Sequence, residues 1–231
     1  MLIFAHVFCG ALIGLGFWHL TNDRRALPLC ILGAILPDLL DKLSALLFPG
    51  MLGSGRTICH SLIFFAIVLA FGILFWQYRH TLLGVAFACA ILSHQILDAM
   101  WSVASTWFFP LLGAFPTYMI PDYIGHYFWL EISYPSEWVF GFVSLLIIMA
   151  WYQGIPDHRV ACPTPRRRTT ARFVAVCLLG VMGVYLLLFG LAALPRAFFA
   201  PTYDPVTDVM AGIVALCGAI VFLKWQTFPV R

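Results

Sequence analysis

Long apolar runs broken by short polar clusters set the pattern of this chain. Residues 2–20 form the first run, with His6 near its start and His19 near its end. A shorter run, 26–36, leads into Pro37-Asp38-Leu39-Leu40-Asp41-Lys42. This predicts a short or partly re-entrant second helix that ends in carboxylates. Pro49, Gly50, Gly53 and Gly55 mark a loop. Arg56 opens a third predicted helix that continues to Trp76, and Arg79 and His80 make a turn. The fourth helix covers 81–101, and 137–152, 173–194 and 209–225 are the fifth to seventh. Between the fourth and fifth, residues 102–136 hold no Lys or Arg and many aromatics and prolines, a composition suited to a membrane interface. Runs approaching about 20 apolar residues are what a bilayer crossing requires. Their continuity, rather than alternation, argues against a transmembrane barrel.

Composition narrows the class. Of 231 residues, 62% are hydrophobic and 10% charged, which no ordinary soluble domain shows. The fold class predicted is all-α: a polytopic membrane bundle of about seven spans. Its expected divisions are a membrane core at 1–152, a basic loop at 153–172 and a helical pair at 173–231. No Lys or Arg precedes Arg24 and no small-residue cleavage site follows the first run, so the first helix is expected to stay in the mature chain. The seven cysteines form no C-x-x-C pair and predict neither a disulfide framework nor a zinc knuckle; Cys59 reads as packing. A net charge of +3 with one short basic run carries no nucleic-acid signature.

The basic residues predict an orientation. With Arg166, Arg167 and Arg168 in the cytoplasm and the seven helices alternating, ten of the thirteen basic residues fall inside. The outer side keeps Lys42, Arg56 and Arg196. The N-terminus is then outside and the C-terminus inside. This assignment ignores histidines and carboxylates, yet it brings His6, Asp38, Asp41, His60, His94, Asp98 and the weaker loop candidate His126 to the outer side. His19, His80 and His158 fall inside.

His94 and Asp98 are four residues apart on one helix face, and polar groups in a membrane are costly unless they meet partners. They suit a metal ion, as does the mixed imidazole and carboxylate set that shares their depth. A divalent ion, zinc, manganese or iron in preference to magnesium or calcium and zinc or manganese first among them, would make the cluster hydrolytic, as one metal or as two bridged by a carboxylate. The blander readings are a hydrogen-bonded pair that fixes helix packing, a helix-end Asp38, and an Arg56 that meets lipid phosphate.

The motifs together resemble the YdjM-like family of membrane-bound, metal-dependent hydrolases. The resemblance rests on His6, on Leu36-Pro37-Asp38, on Arg56 with His60-Ser61, and on Ser93-His94 with Asp98. It covers the first half, to about Pro110. It implies a prokaryotic inner-membrane hydrolase with a metal site. The chain departs from the family pattern in two places. Two leucines separate Asp38 from Asp41 where the family has one residue, and Gly55, Thr57 and Cys59 replace a His, a Gly and a Thr of the third motif.

The leading expectation is a membrane-embedded hydrolase with its site open to the outer, extracytoplasmic leaflet. Its metal ligands would be His6, Asp38, His60, His94 and Asp98. Asp41 would be a further ligand or the base, and Arg56 would hold an anionic group. The substrate would be a membrane lipid or another lipid-linked phosphoester, and residues 101–138 would form an interfacial rim. One rival is an ion- or proton-coupled transporter, against which stand the absence of a repeat and the lack of polar residues towards the inner side. The other is a non-enzymatic membrane factor with a structural metal or none.

Overall fold

A computed structural model describes residues 3–48, 55–117, 122–153, 165–191 and 205–224, and the regular structure among them is all helical. The elements are α1 (Ile3–Thr21), α2 (Ala26–Leu47), a 3-10 turn (Ile58–His60), α3 (Leu62–Arg79) and α4 (Leu83–Leu97). A second 3-10 turn (Met100–Ser102), the single-turn α5 (Ala104–Trp107), α6 (Tyr123–Ser133), α7 (Pro135–Gln153), α8 (Pro165–Gly190) and α9 (Pro205–Lys224) follow. Five of these, α1, α3, α7, α8 and α9, are long and apolar enough to cross a bilayer. Helix α4 is apolar but has only 15 residues.

The expected connection 102–136 carries α6, α8 begins at Pro165 rather than 173, and three further outcomes around the site differ from the sequence expectation. The second helix does not end at its carboxylates; it runs through Pro37 to Leu47, 22 residues in all. An internal proline forfeits one backbone bond, here to the Gly33 carbonyl. The leucine-rich stretch that follows it favours helix, and the small residues of α2 hold it against two neighbours. The third helix starts later, because the Ser61 hydroxyl accepts the Phe64 N–H at 3.3 Å and caps it. That leaves Ile58–His60 as a separate turn. The fourth ends at Leu97, where Asp98 closes the helix and Ala99 turns left-handed with φ 51°.

The chain forms two compact units, Met1–Ser133 and Tyr134–Arg231. In the first, α1, α2 and α4 pack against one another, and Cys30, Ala34, Ala86 and Ala90 make a buried seam with Ile13 and Phe17 against it. The helices meet at backbone distance. A Cβ on Gly14 would stand 2.7 Å from the Leu27 Cα, and one on Gly33 would stand 2.7 Å from the Phe87 carbonyl oxygen. Close approach of this kind is how helices associate in lipid, where apolar burial alone drives nothing. Helix α3 touches α4 through Gly72 and Gly84 and buries Gly72 alone, leaving an apolar surface that suits lipid contact. Between α1 and α2, Arg25 grips Asp23 with two nitrogens, at 3.0 and 2.8 Å, and holds that carboxyl below its ordinary pKa.

In the second unit α8 and α9 run antiparallel. Gly183 and Gly212 let their backbones touch, and Arg172 donates to the Phe222 and Leu223 carbonyls in the last turn of α9. Glu137, Thr207 and Asp208 are buried at the starts of α7 and α9. Burial, with Asp208 and Glu137 nearby, pushes the Tyr134 phenol up to about 12.

Candidate metal centre

Four chain segments bring polar side chains to one end of the first unit. They are the start of α1, the middle of α2, the turn before α3 and the end of α4. Asp38, His60, His94 and Asp98 each offer one ligand atom, and these atoms lie within 4.8 Å of one another. All four residues are buried. His94 Nε2 is 3.1 Å from His60 Nε2, and His60 Nε2 is 3.5 Å from Asp38 Oδ1 and 3.8 Å from Asp98 Oδ2. His94 Nε2 is 3.8 Å from Asp38 Oδ1. Ligands around a tetrahedral zinc, with bonds of about 2.0 to 2.1 Å, stand about 3.3 Å apart. The observed spacings bracket that value.

The other ring nitrogens decide what the centre needs. His60 Nδ1 is 2.7 Å from Asp41 Oδ2, and His94 Nδ1 is 2.7 Å from the backbone carbonyl of Ala34. A carboxylate and a carbonyl only accept, so each Nδ1 carries a hydrogen and donates it. In the neutral rings both Nε2 atoms are then bare lone pairs, pointed at each other and at two carboxylate oxygens. Four electron-pair donors in a buried space repel one another unless a cation sits among them. Burial lowers the pKa of His60, which precedes the α3 span, but its bonds to Asp38 and Asp41 more than reverse this and raise it to about 9. One proton serves one or two of the four atoms; a divalent ion serves all four.

Asp41 stands behind His60. Besides the imidazole, its carboxylate accepts the Thr57 N–H at 2.7 Å and the Cys59 N–H at 3.2 Å. It thus holds the whole turn that carries His60. Burial, with Asp41 beside it, pushes the Cys59 thiol up to about 12, which favours the neutral thiol.

His6, expected as a fifth ligand, stands one step away. Its Nε2 donates to Asp98 Oδ1 at 3.2 Å, and its ring stacks on His94 with centroids 3.9 Å apart. Its Nδ1 is buried without a hydrogen-bond partner. Arg56 lies against the other oxygen of Asp98, Nη2 to Oδ2 at 3.1 Å. The His126 side chain and all of His158 lie outside the described residues.

Two residues at the site escaped the sequence reading. Lys42 Nζ donates to Asp38 Oδ2 at 2.6 Å, and its i,i+4 spacing from Asp38 was the available signal. Gln95 donates to the carbonyls of Cys59 and Ser61 at 3.3 and 2.9 Å and accepts from Trp107 Nε1 at 3.2 Å. It therefore ties α4 to the His60 turn and to α5. Only its place beside His94 hinted at this.

No curated protein and no solved structure matches the chain. Residues 1–193 match the model of the family described as YdjM inner membrane protein, and the chain belongs to that family.

Proposed function

We propose that this member of the YdjM family is a membrane-embedded, metal-dependent hydrolase. Its site lies near the outer leaflet, and its substrate is a phospholipid or another lipid-linked phosphoester. The observation that carries the reading is the commitment of both Nδ1–H groups outwards, to Asp41 and Ala34, which leaves two imidazole lone pairs facing two carboxylates. Asp38, His60, His94 and Asp98 would hold the ion. Imidazole with carboxylate suits zinc or manganese. Such an ion supplies Lewis acidity, lowering the pKa of water and polarising a phosphoryl oxygen.

The protein's own groups do the rest. Asp41 has its oxygens committed to His60 and to two backbone N–H groups, which supports an orienting part rather than that of a base. His6 and Arg56 fix the two oxygens of Asp98. A site beside the aromatic segment around Trp101 and Trp107 would meet lipid headgroups before soluble molecules.

A second reading has an observation of its own. Four protein ligands are also the complement of a structural ion, and a closed set would make the protein a non-enzymatic membrane factor. Metal content per chain, by elemental mass spectrometry of detergent-purified protein, tests the shared premise. Wild type should carry near-stoichiometric zinc or manganese, and the His94→Ala/Asp98→Ala variant should carry none. No metal in wild type, even after it is added back, would sink both metal readings. Metal without turnover of any lipid phosphoester would favour the structural one.

A further inference from the structure

The turn that carries His60 is held from outside. It is three residues long, Ile58–His60, and a 3-10 turn of that length has few hydrogen bonds of its own. From α2, Asp41 accepts the Thr57 and Cys59 N–H groups. From α4, the Gln95 amide donates to the carbonyls of Cys59 and Ser61, the residues on either side of His60, at 3.3 and 2.9 Å. The N–H side of the turn is thus fixed by a carboxylate and the carbonyl side by a neutral amide.

Gln95 can do this in one orientation only. A carbonyl accepts and never donates, so Nε2 must face Cys59 and Ser61 while Oε1 faces elsewhere. Gln95 is buried, and a buried amide oxygen needs a donor. It has one at 3.2 Å in the Trp107 indole, a group that only donates. Trp107 is half-buried on α5, which packs against the His60 turn. Its ring meets Trp101 edge-on at 6.5 Å and Phe108 at 5.4 Å, and both of these are exposed. Packing between α4 and α5 requires only an apolar side chain of similar size. The ordered polarity from indole to amide to carbonyl serves the position of the turn.

We propose that Trp107 is a positioning residue for the metal centre. Acting through Gln95, it sets the place of His60 Nε2 among the other ligand atoms, so the hold on the ion is governed in part from the aromatic segment. This rests on the metal reading of the site and names what keeps one of its ligands in place. Without the indole N–H, Oε1 loses its donor, the amide is free to rotate, and both carbonyl contacts loosen. His60 Nε2 stands 3.1 Å from His94 Nε2 and 3.5 Å from Asp38 Oδ1. Metal–ligand distances hold to within about 0.2 Å, so a small displacement of the turn alters both affinity and ligand field.

The test is the affinity of the full chain in neutral-lipid nanodiscs for zinc, by competition with a chromophoric chelator, together with the visible spectrum of the cobalt-loaded protein. Trp107→Phe and Gln95→Met should each weaken zinc binding by about tenfold, with the stoichiometry at saturation unchanged and the cobalt bands shifted. Trp101→Phe removes a neighbouring indole that Gln95 does not use, and should stay within about twofold of wild type. The double variant Gln95→Met/Trp107→Phe should be no weaker than Gln95→Met alone, because the two residues act through one contact. Losses that multiply in the double variant would overturn the link, as would single variants that bind zinc as well as wild type. A merely structural role would lower the unfolding temperature of the metal-free protein and leave the cobalt spectrum of the folded fraction unchanged, and that result would overturn the link too. Should Gln95→Met fail to fold, Trp107→Phe against Trp101→Phe still decides, since equal effects would remove the special place of Trp107. Wild type that takes up neither zinc nor cobalt would overturn the metal reading and this one with it.

Discussion

Asp38 and Asp41 are three residues apart on α2 and face different partners. Asp38 turns Oδ1 towards the two Nε2 atoms, whereas Asp41 reaches behind His60 and gathers the turn around it. Asp38→Asn should therefore abolish stoichiometric metal binding. Asp41→Asn keeps the shape but weakens the acceptor for Nδ1–H, and should lower affinity by about 10- to 100-fold without changing the stoichiometry at saturation. Competition against a chromophoric chelator in detergent separates the two, and equal losses would contradict the distinction. The four clustered residues stand out in the sequence as histidines and aspartates among apolar neighbours, but so does His6, which the sequence could not separate from them. Their division of labour was not legible. The acceptor for His94 is the backbone carbonyl of Ala34, and a carbonyl has no sequence signature.

At the scale of helices, the site is only as well placed as the contacts between α1, α2 and α4. Gly14 and Gly16 offer a matched comparison within α1. A Cβ at Gly14 meets α2 backbone at 2.7 Å, while one at Gly16 meets nothing within 4 Å. Gly14→Ala should destabilise the first unit by about 1–3 kcal/mol through overpacking. Gly16→Ala should stay within about 0.5 kcal/mol of wild type or gain slightly from helix propensity. Reversible unfolding in mixed micelles measures both, and equal effects would argue against the close α1–α2 contact. The existence of the long helices was plain from their apolar runs. Their ends were not, because each end depended on one local device: the Ser61 cap, the left-handed Ala99, and a packed α2 that tolerates Pro37. The buried Glu137 and Asp208 were also unreadable, since an isolated carboxylate near a helix start ordinarily signals a favourable terminus.

For the molecule as a whole, membrane class followed from composition, and the apolar helices together with the family match agree with it. Orientation is a separate matter that rests on the basic residues. A fluorescent protein fused after Arg231 should fold in the cytoplasm and fluoresce, and a cysteine placed at Lys42 should react with an impermeant thiol reagent added from outside. A dark fusion, or labelling only after the membrane is opened, would invert the arrangement and place the centre on the inner side. The four segments that meet at the centre alternate in direction along the chain, so their meeting at one end is itself the pattern of an up-and-down bundle.

Sequence distance gives the centre a history. His6 and its partner Asp98 are separated by 92 positions. At synthesis rates of about 5–20 residues per second, roughly 5–20 s pass between the emergence of one and the other from the ribosome. Through that interval the imidazole on the first helix enters the membrane without the carboxylate it finally meets. The intermediate with three helices inserted lacks half of the coordinating set, because His94 and Asp98 both arrive with the fourth. Any metal the centre takes would thus be captured late in biogenesis, and nascent chains arrested before residue 98 cannot bring the four side chains together.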